Sequence, residues 1–192
     1  MTRRLPWTLT AIALTITFVA VVAVMLQQAT RNLTLPLSDT AIIRQQAAAK
    51  RLDPALIAAV IYAETKFDPR PSSAGAEGLM QLLPSTAYYL ARLSGGRSFT
   101  ASDLAEPDVN VAYGSYYLRY LLDHYGGNEM LAVAAYNGGE TNVDRWVAHA
   151  EADGRRLSVD EIPFGETREY VQRVLSAQRD YRATYPRALG LD

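Results

Sequence analysis

Residues 53–64 read Asp53-Pro54-Ala55-Leu56-Ile57-Ala58-Ala59-Val60-Ile61-Tyr62-Ala63-Glu64, a stretch that predicts a helix ending in an acid. Aspartate is a preferred N-cap residue and proline is favoured at the first helical position, so the helix is expected to begin at Pro54. At helical spacing, Glu64 falls on the same face as Ile57 and Ile61. The sequence therefore places a carboxylate on a face that is otherwise apolar.

The position of Glu64 favours a protonated carboxyl group. Removing an ionised carboxylate from water is costly unless it is paired, and the negative end of the helix dipole near Lys66 disfavours a second negative charge. Both effects raise the pKa of Glu64 toward the range that a general acid needs near neutral pH. The structural alternative is that Glu64 faces solvent or pairs with Lys66 or Arg70.

A loop rich in small residues follows this helix, between Lys66 and a second helix start at Pro84. Gly75 and Gly78 allow the backbone to approach a ligand closely, and Gln81 offers both hydrogen-bond donors and an acceptor. The alternative is an ordinary turn between helices whose apolar residues belong to the core.

Four sequence blocks, spanning residues 60–171, together resemble one family. They read Glu64-Thr65-x-Phe67 with Ser73-Ala74-Gly75-Ala76-x-Gly78-Leu79-Met80-Gln81-Leu82-x-Pro84-x-Thr86, then Asn110-x-x-x-Gly114-x-x-Tyr117-Leu118, then Ala132-x-Ala134-Ala135-Tyr136-Asn137-x-Gly139, and finally Glu161-Ile162-Pro163-Phe164-x-Glu166-Thr167-Arg168-x-Tyr170-Val171. In residues and order they are similar to the lytic transglycosylases whose catalytic domain is of the soluble-lytic-transglycosylase (SLT) type, in the goose-lysozyme-like superfamily. Thr65 stands where that family usually has serine, and Gly138 where it commonly has alanine.

The resemblance implies an all-α, lysozyme-like helical domain in which Glu64 is the catalytic residue. It also implies substrate contacts from Thr65, Met80, Gln81, Tyr136, Asn137 and Glu166. By residue chemistry alone, Asn137 also suits a helix C-cap, and the charge of Glu166 is favoured at a helix start. Arg168 and Tyr170 are interpreted as structural.

The activity implied by the resemblance is that of a peptidoglycan lytic transglycosylase. Such an enzyme cleaves the β-1,4 bond between N-acetylmuramic acid and N-acetylglucosamine and leaves 1,6-anhydro ends. Most glycosidases use two carboxylates, but here Asp68 follows a helix break and Glu77 lies in the loop, so the sequence offers no convincing second carboxylate. The resemblance implies that one glutamate acts first as acid and then as base. Two alternatives stay open: a lysozyme-like muramidase that hydrolyses the bond, and an inactive wall-binding scaffold.

Composition excludes several other classes of function. The chain has 192 residues, a formal net charge of −1 and no cysteine, so it has no strong basic patch for nucleic acid and no thiol or disulfide chemistry. Its two histidines, His124 and His149, have no metal-site spacing, and His124 is interpreted as a helix-capping or surface residue. We expect no metal and no cofactor. The expected partner is the peptidoglycan glycan strand, with protein partners left open.

The N-terminus predicts membrane attachment. Residues 5–26 are uncharged and mainly apolar, long enough to cross a hydrocarbon core of roughly 30 Å, and Arg3 and Arg4 favour a cytoplasmic end at residues 1–4. The prediction is a single-pass signal anchor in the cytoplasmic (inner) membrane, a linker at residues 27–37, and a catalytic domain at residues 38–192 on the periplasmic side. The alternative is a cleaved secretion signal, whose apolar region is usually shorter.

Caps and periodicity predict seven helices in this domain and no strands. Their expected ranges are about 39–51, 54–65, 84–93, 108–125, 129–136, 141–148 and 166–185. The fourth of these helices, at about 108–125, carries a stripe of tyrosines, including Tyr113, Tyr116 and Tyr120, that is interpreted as core packing rather than ligand contact.

Overall fold

The computed structural model describes residues 7–95 and 99–192. The chain divides into two compact units, with the boundary between Pro36 and Leu37. The first unit contains helix α1, Trp7–Thr34. The second contains α2 (Thr40–Lys50), α3 (Pro54–Thr65), α4 (Pro84–Ser94), α5 (Pro107–His124), α6 (Glu129–Gly138), α7 (Glu140–Ala152), α8 (Gly165–Thr184) and α9 (Pro186–Leu189), with short 3-10 helices at Ala101–Ala105 and Val159–Glu161. In the described part of the chain, β pairing is limited to one isolated bridge between Glu77 and Leu82. The prediction of a mainly helical domain is confirmed.

Helix α1 differs from the predicted membrane anchor. Among the residues that the structure describes, no helix combines the length and the apolar character that crossing a membrane requires. The span expected at residues 5–26 is therefore not supported, and the expected cytoplasmic end at 1–4 lies outside the described residues.

The segment after the expected span is also more regular than the sequence suggested. Helix α1 continues to Thr34, through most of the linker expected at residues 27–37. Residues 27–34 contain neither glycine nor proline, and the first proline after them is Pro36. A helix that has begun upstream therefore meets no strong breaker before that point.

Helix α3 is the centre of the second unit. Its residues 55–61 are all buried, and its most extensive contact is with α8. The Asp53 carboxylate accepts a hydrogen bond from the Ala55 N–H at 3.0 Å, so the predicted N-cap is confirmed. Because this helix is apolar on every side until its last turn, the core fixes its direction and thereby the position of its C-terminal residues.

Capping elsewhere is only partly as predicted. Asn128 caps α6 by accepting from the Leu131 N–H. Asp39 precedes α2, but it has a left-handed φ of 54° and its side chain forms no cap. Its carboxylate accepts a hydrogen bond from the Ser38 hydroxyl. Ser158 and Glu161 form a capping box at the start of the 3-10 helix Val159–Glu161.

Tyrosines of the α5 stripe pack against apolar residues, as the sequence predicts. Tyr113 and Tyr117 are partly buried and pack against a small apolar cluster that contains Leu82. The ring of Tyr117 also lies 5.3 Å from the ring of Tyr136, centroid to centroid. This packing joins α5 to the end of α6, near the residues that form the candidate site.

Candidate active site

Glu64 lies in the last turn of α3 and is partly buried. Tyr170, from the facing helix α8, donates a hydrogen bond from its hydroxyl to Glu64 Oε1 at 2.7 Å. The tyrosine is itself only 2% exposed. No hydrogen bond reaches Glu64 Oε2 from the described residues, so one carboxyl oxygen is anchored and the other is available.

The surroundings of Glu64 raise its pKa. Loss of hydration on burial raises its pKa to about 7, and the nearby charge of Glu166 acts in the same direction. The hydrogen bond from Tyr170 and the charge of Arg173 oppose that rise. The prediction of a raised pKa is confirmed. Such a group can both give and take a proton near pH 7.

A cleft of about 400 Å³ opens beside Glu64. It is lined by Ala63, Glu64, Thr65, Lys66, Asp68, Arg70 and Gln81. The second carboxylate in this lining, Asp68, is largely exposed and lies 2.5 Å from the Arg70 guanidinium. Asp68 is therefore exposed and paired with a cation, whereas Glu64 is partly buried.

Gln81 lies on the wall of this cleft, in the loop after α3. It has a left-handed φ of 46°, and its side-chain Nε2 donates to the carbonyls of Gly78 at 2.9 Å and Arg70 at 3.1 Å. Among the residues that the structure describes, none donates a hydrogen bond to Gln81 Oε1. The amide is therefore held by its nitrogen and offers its oxygen as an acceptor.

Buried Asn110, on α5, holds the loop that carries Gln81. Its Oδ1 accepts from the Met80 N–H at 2.8 Å, and its Nδ2 donates to the carbonyls of Glu77 and Leu104 at 2.8 and 3.0 Å. At Gly78, where φ is +75°, a Cβ would lie 2.1 Å from Asn110 Nδ2. Glycine is required there because the loop backbone and the asparagine approach so closely.

Three of the predicted substrate contacts are engaged with the protein itself. Thr65 donates from its hydroxyl to the Leu79 carbonyl at 2.9 Å, and Tyr136 donates to the Met80 carbonyl at 2.8 Å. The Met80 side chain is fully buried against Gly114, so it cannot contact a ligand in the cleft. The Met80 backbone instead bonds other residues of the site. Burial raises the pKa of Tyr136 well above its ordinary value, and the charge of Glu64 adds to the rise.

The other two predicted contacts, Asn137 and Glu166, are exposed and lie outside the lining of the cleft. Asn137 Oδ1 accepts from the hydroxyl of Thr167 at 2.8 Å, which ties the end of α6 to the start of α8. Glu166 is in the first turn of α8, and its charge reaches Glu64. Their contact with substrate stays a prediction.

Sequence reasoning missed Tyr170 and Arg173. Tyr170 was interpreted as structural, whereas its hydroxyl contacts the candidate catalytic carboxylate. Arg173 lies with its guanidinium carbon 5.8 Å from the centre of the Tyr170 ring. The signal available for Tyr170 was its place in the last of the four sequence blocks, but its partner is 106 residues away in the chain.

His124 is exposed in the last turn of α5, as expected for a surface residue at a helix end, and it contacts two acids of α7. Its Nε2 lies 3.0 Å from Asp144 Oδ1, and its Nδ1 lies 3.9 Å from Glu140 Oε1. Tyr125 also donates to Asp144. These contacts link the end of α5 to the first turns of α7, and none of the residues lines the cleft beside Glu64.

The chain is similar to known proteins over most of its second unit. The family model "Transglycosylase SLT domain" matches residues 41–159. Soluble lytic murein transglycosylase from Escherichia coli K12 is 30% identical over 150 residues, covering 77% of this chain and 23% of the relative. Membrane-bound lytic murein transglycosylase C from Yersinia pestis is 31% identical over 166 residues, covering 73% of this chain and 46% of the relative.

Solved structures agree with these sequence matches. An inactive mutant of the lytic transglycosylase Slt from Pseudomonas aeruginosa superposes with a TM-score of 0.73 at 35% identity, covering 80% of this chain and 25% of that one. The 70 kDa soluble lytic transglycosylase from E. coli gives a TM-score of 0.74 at 29% identity, with 79% and 25% covered. The chain thus spans about a quarter of the length of these proteins.

Proposed function

This chain belongs to the transglycosylase SLT domain family, and from that premise we propose that it is a peptidoglycan lytic transglycosylase. It would cleave the β-1,4 bond between N-acetylmuramic acid and N-acetylglucosamine and leave a 1,6-anhydro-muramoyl end. The observation that carries the proposal is Glu64, a partly buried acid with a pKa of about 7 at the edge of a cleft. The relatives named above as murein transglycosylases support the choice of substrate.

In the proposed reaction Glu64 transfers a proton twice. Protonated Glu64 gives its proton to the glycosidic oxygen as the bond to the muramoyl C1 breaks, and the acetamide of the same sugar stabilises the cationic centre. Glu64, now a carboxylate, takes the proton of the C6 hydroxyl while O6 bonds to C1. The enzyme ends protonated as it began, and no water is consumed. A pKa near 7 suits both transfers.

The hydrogen bonds around Glu64 support this use of one residue. Tyr170 holds Oε1, which leaves Oε2 to carry the proton toward the substrate. We assign the free Oε1 of Gln81 to the acetamide N–H, because the nitrogen of Gln81 is already held by two carbonyls. Tyr136 supports the same wall through the Met80 carbonyl.

The remaining predicted contacts have two kinds of role in this proposal. Asn137 and Glu166 are exposed and would meet sugar hydroxyls farther along the strand. Thr65 and Met80 would act by holding the loop, since the hydroxyl of the first and the backbone of the second are bonded within the protein.

The test is the mass of the sugars released from purified wall by the full chain. The proposal predicts 1,6-anhydro ends as primary products, loss of release in Glu64→Gln, and normal release in Glu169→Gln, the same change at an exposed neighbour on α8. Primary products heavier by one water than the 1,6-anhydro sugars would show that the enzyme is a hydrolysing muramidase rather than a lyase. Binding of wall without release by the wild type would support an inactive scaffold.

We also propose, from the sequence pattern rather than from the fold, that the domain is held at the periplasmic side of the cytoplasmic membrane. The uncharged residues 5–26 after Arg3 and Arg4 support it, as do the exposed apolar side chains of α1, such as Phe18. One relative is named membrane-bound. Fractionation and protease accessibility of the full chain test this, and N-terminal sequencing separates an anchor from a cleaved signal. Recovery in the cytosol would refute export.

A further inference from the structure

The cleft beside Glu64 contains a cation that the proposed reaction does not use. Lys66 is exposed, lines the cleft, and follows the helix that ends at Thr65. In the ranges 7–95 and 99–192, no carboxylate lies within ion-pair distance of its ammonium group. One of only two lysines in the chain is therefore an unpaired positive charge two residues from the candidate catalytic acid.

The backbone at this cation is held from both sides. The Lys66 N–H donates to the Tyr62 carbonyl at 3.1 Å. Lys66 and Phe67 are both left-handed, with φ of 52° and 63°, a conformation that residues with a Cβ adopt rarely and only when their surroundings impose it. The Phe67 ring packs edge-on against Tyr181 of α8, 6.2 Å between centroids. These contacts fix the turn that brings Lys66 to the edge of the cleft.

The other charges on the lining do not cancel Lys66. Arg70 and Asp68 pair with each other at 2.5 Å. Glu64 carries no charge in the protonated form from which the proposed reaction starts. Lys66 is therefore the cation on this lining that pairs with no carboxylate among the described residues, and a lysine on a flexible stem can follow an anion whose position varies.

We propose that Lys66 binds a carboxylate of the peptide stem that the muramoyl sugar carries, and so favours stem-bearing glycan strands over stripped ones. This inference rests on the proposed function. The muramoyl sugar is the one whose C1 reacts at Glu64, and its lactyl ether bears the stem. The neutral N-acetylglucosamine on the other side of the bond has no anion to offer. Lys66 is thus a specificity-determining residue on the muramoyl side.

The experiment compares three preparations of the same glycan strands with the full chain. One keeps its stems, one has its stem carboxyls converted to methylamides, and one has its stems removed by an amidase, which frees the lactyl carboxylate. For each we measure kcat/KM with wild type, Lys66→Met and Lys66→Arg. Lys50→Met, at the only other lysine, is the matched control, because Lys50 does not line this cleft. Thermal melting establishes that each variant is folded.

We expect Lys66→Met to lower kcat/KM about three- to fivefold on stem-bearing strands, as loss of a charge-assisted contact at an exposed site implies. On methylamidated strands the change should stay within about twofold, and Lys66→Arg should recover most of the loss. An equal loss on all three substrates, or none on any, overturns the proposal. A loss confined to stripped strands also overturns it and assigns the lactyl carboxylate instead.

A binding measurement separates this inference from the proposed function. Co-sedimentation with stem-bearing and methylamidated strands is carried out in the Glu64→Gln background, where no turnover is needed. Weaker binding of Lys66→Met to stem-bearing strands alone supports the inference even if the wild type proves inactive, which would overturn the proposed function by itself. Equal binding of both proteins to both preparations overturns the inference.

Discussion

Replacing Tyr170 by phenylalanine tests how the fold sets the protonation of Glu64. The change removes one hydroxyl, which donates to Glu64 Oε1 at 2.7 Å, and keeps the ring that packs between α3 and α8. That hydrogen bond stabilises the charged form of the carboxyl group and so lowers its pKa. Its removal must therefore raise the pKa of Glu64 from about 7.

The size of the shift follows from the strength of the bond. A hydrogen bond to a charged group contributes about 1.5–3 kcal/mol, and one pKa unit corresponds to about 1.4 kcal/mol. Taking the lower figure, because the tyrosine also bonds the neutral acid weakly, the pKa of Glu64 should rise by about one unit. If Glu64 must start protonated, kcat/KM falls as pH rises through its pKa. The midpoint of that fall should move from about pH 7 in the wild type to about pH 8 in Tyr170→Phe.

The assay is kcat/KM for release of soluble wall fragments, measured from pH 5 to 9.5 at constant ionic strength. Tyr116→Phe is the control, since Tyr116 lies on α5 and does not line the cleft beside Glu64. If Tyr170→Phe lowered kcat/KM equally at all pH values, that loss would indicate that Tyr170 also positions Glu64. The midpoint of the pH profile would still measure the change in pKa. A midpoint that stays in place, or moves to lower pH, would refute the assignment of Glu64 as the acid tuned by Tyr170.

Three further changes test the electrostatics and the support of the site. Glu166→Gln removes a charge that raises the pKa of Glu64, so the falling limb of the same pH profile should move down by a few tenths of a unit, and less at high salt. Asn110→Ala leaves the Met80 N–H and two carbonyls without their buried partner. Urea titration should show a loss of about 3–5 kcal/mol in unfolding free energy. The control Asp108→Ala, at an exposed position, should lose under about 0.5 kcal/mol. Glu64→Gln should instead increase the unfolding free energy at high pH. Because burial raises the pKa of Glu64, its contribution to the stability of the wild type is complete below about pH 4.5 and is lost as pH rises through about 7. The glutamine variant should thus be more stable than wild type by about 2 kcal/mol at pH 8.5 and no more stable at pH 4, and an equal difference at both pH values would contradict a buried, titrating Glu64.

The local parts of this structure could be predicted from sequence because their causes are local. Asp53 and Pro54 begin α3 as their residue types dictate, and the apolar run after them is buried as expected. The raised pKa of Glu64 could be predicted too, since it depends on a helix face that the 3.6-residue period defines.

Other features could not be predicted because they depend on pairing between distant helices. Tyr170 reaches Glu64 only because α8 packs along α3, and residue chemistry alone does not specify that pairing. The buried contacts of Asn110 likewise join α5 to a loop 30 residues earlier. At the N-terminus an apolar run predicts a membrane span, but no helix among the described residues combines the length and the apolar character that a span requires.

The loop before Gln81 shows why residues from separate sequence blocks are needed together. Thr65 donates to the Leu79 carbonyl, Tyr136 donates to the Met80 carbonyl, and Asn110 accepts from the Met80 N–H. These three side chains come from α3, α6 and α5, and they bond neighbouring peptide groups.

Gln81 follows those peptide groups directly, in a left-handed conformation that leaves its amide facing the cleft. Any one of the three bonds fixes a point on the loop, but only bonds from different helices fix its orientation. The distance between the Gln81 amide and Glu64 is therefore set by the core of the domain. A substitution that loosens this support would impair both residues even though it touches neither, so its cost should appear in kcat as much as in KM.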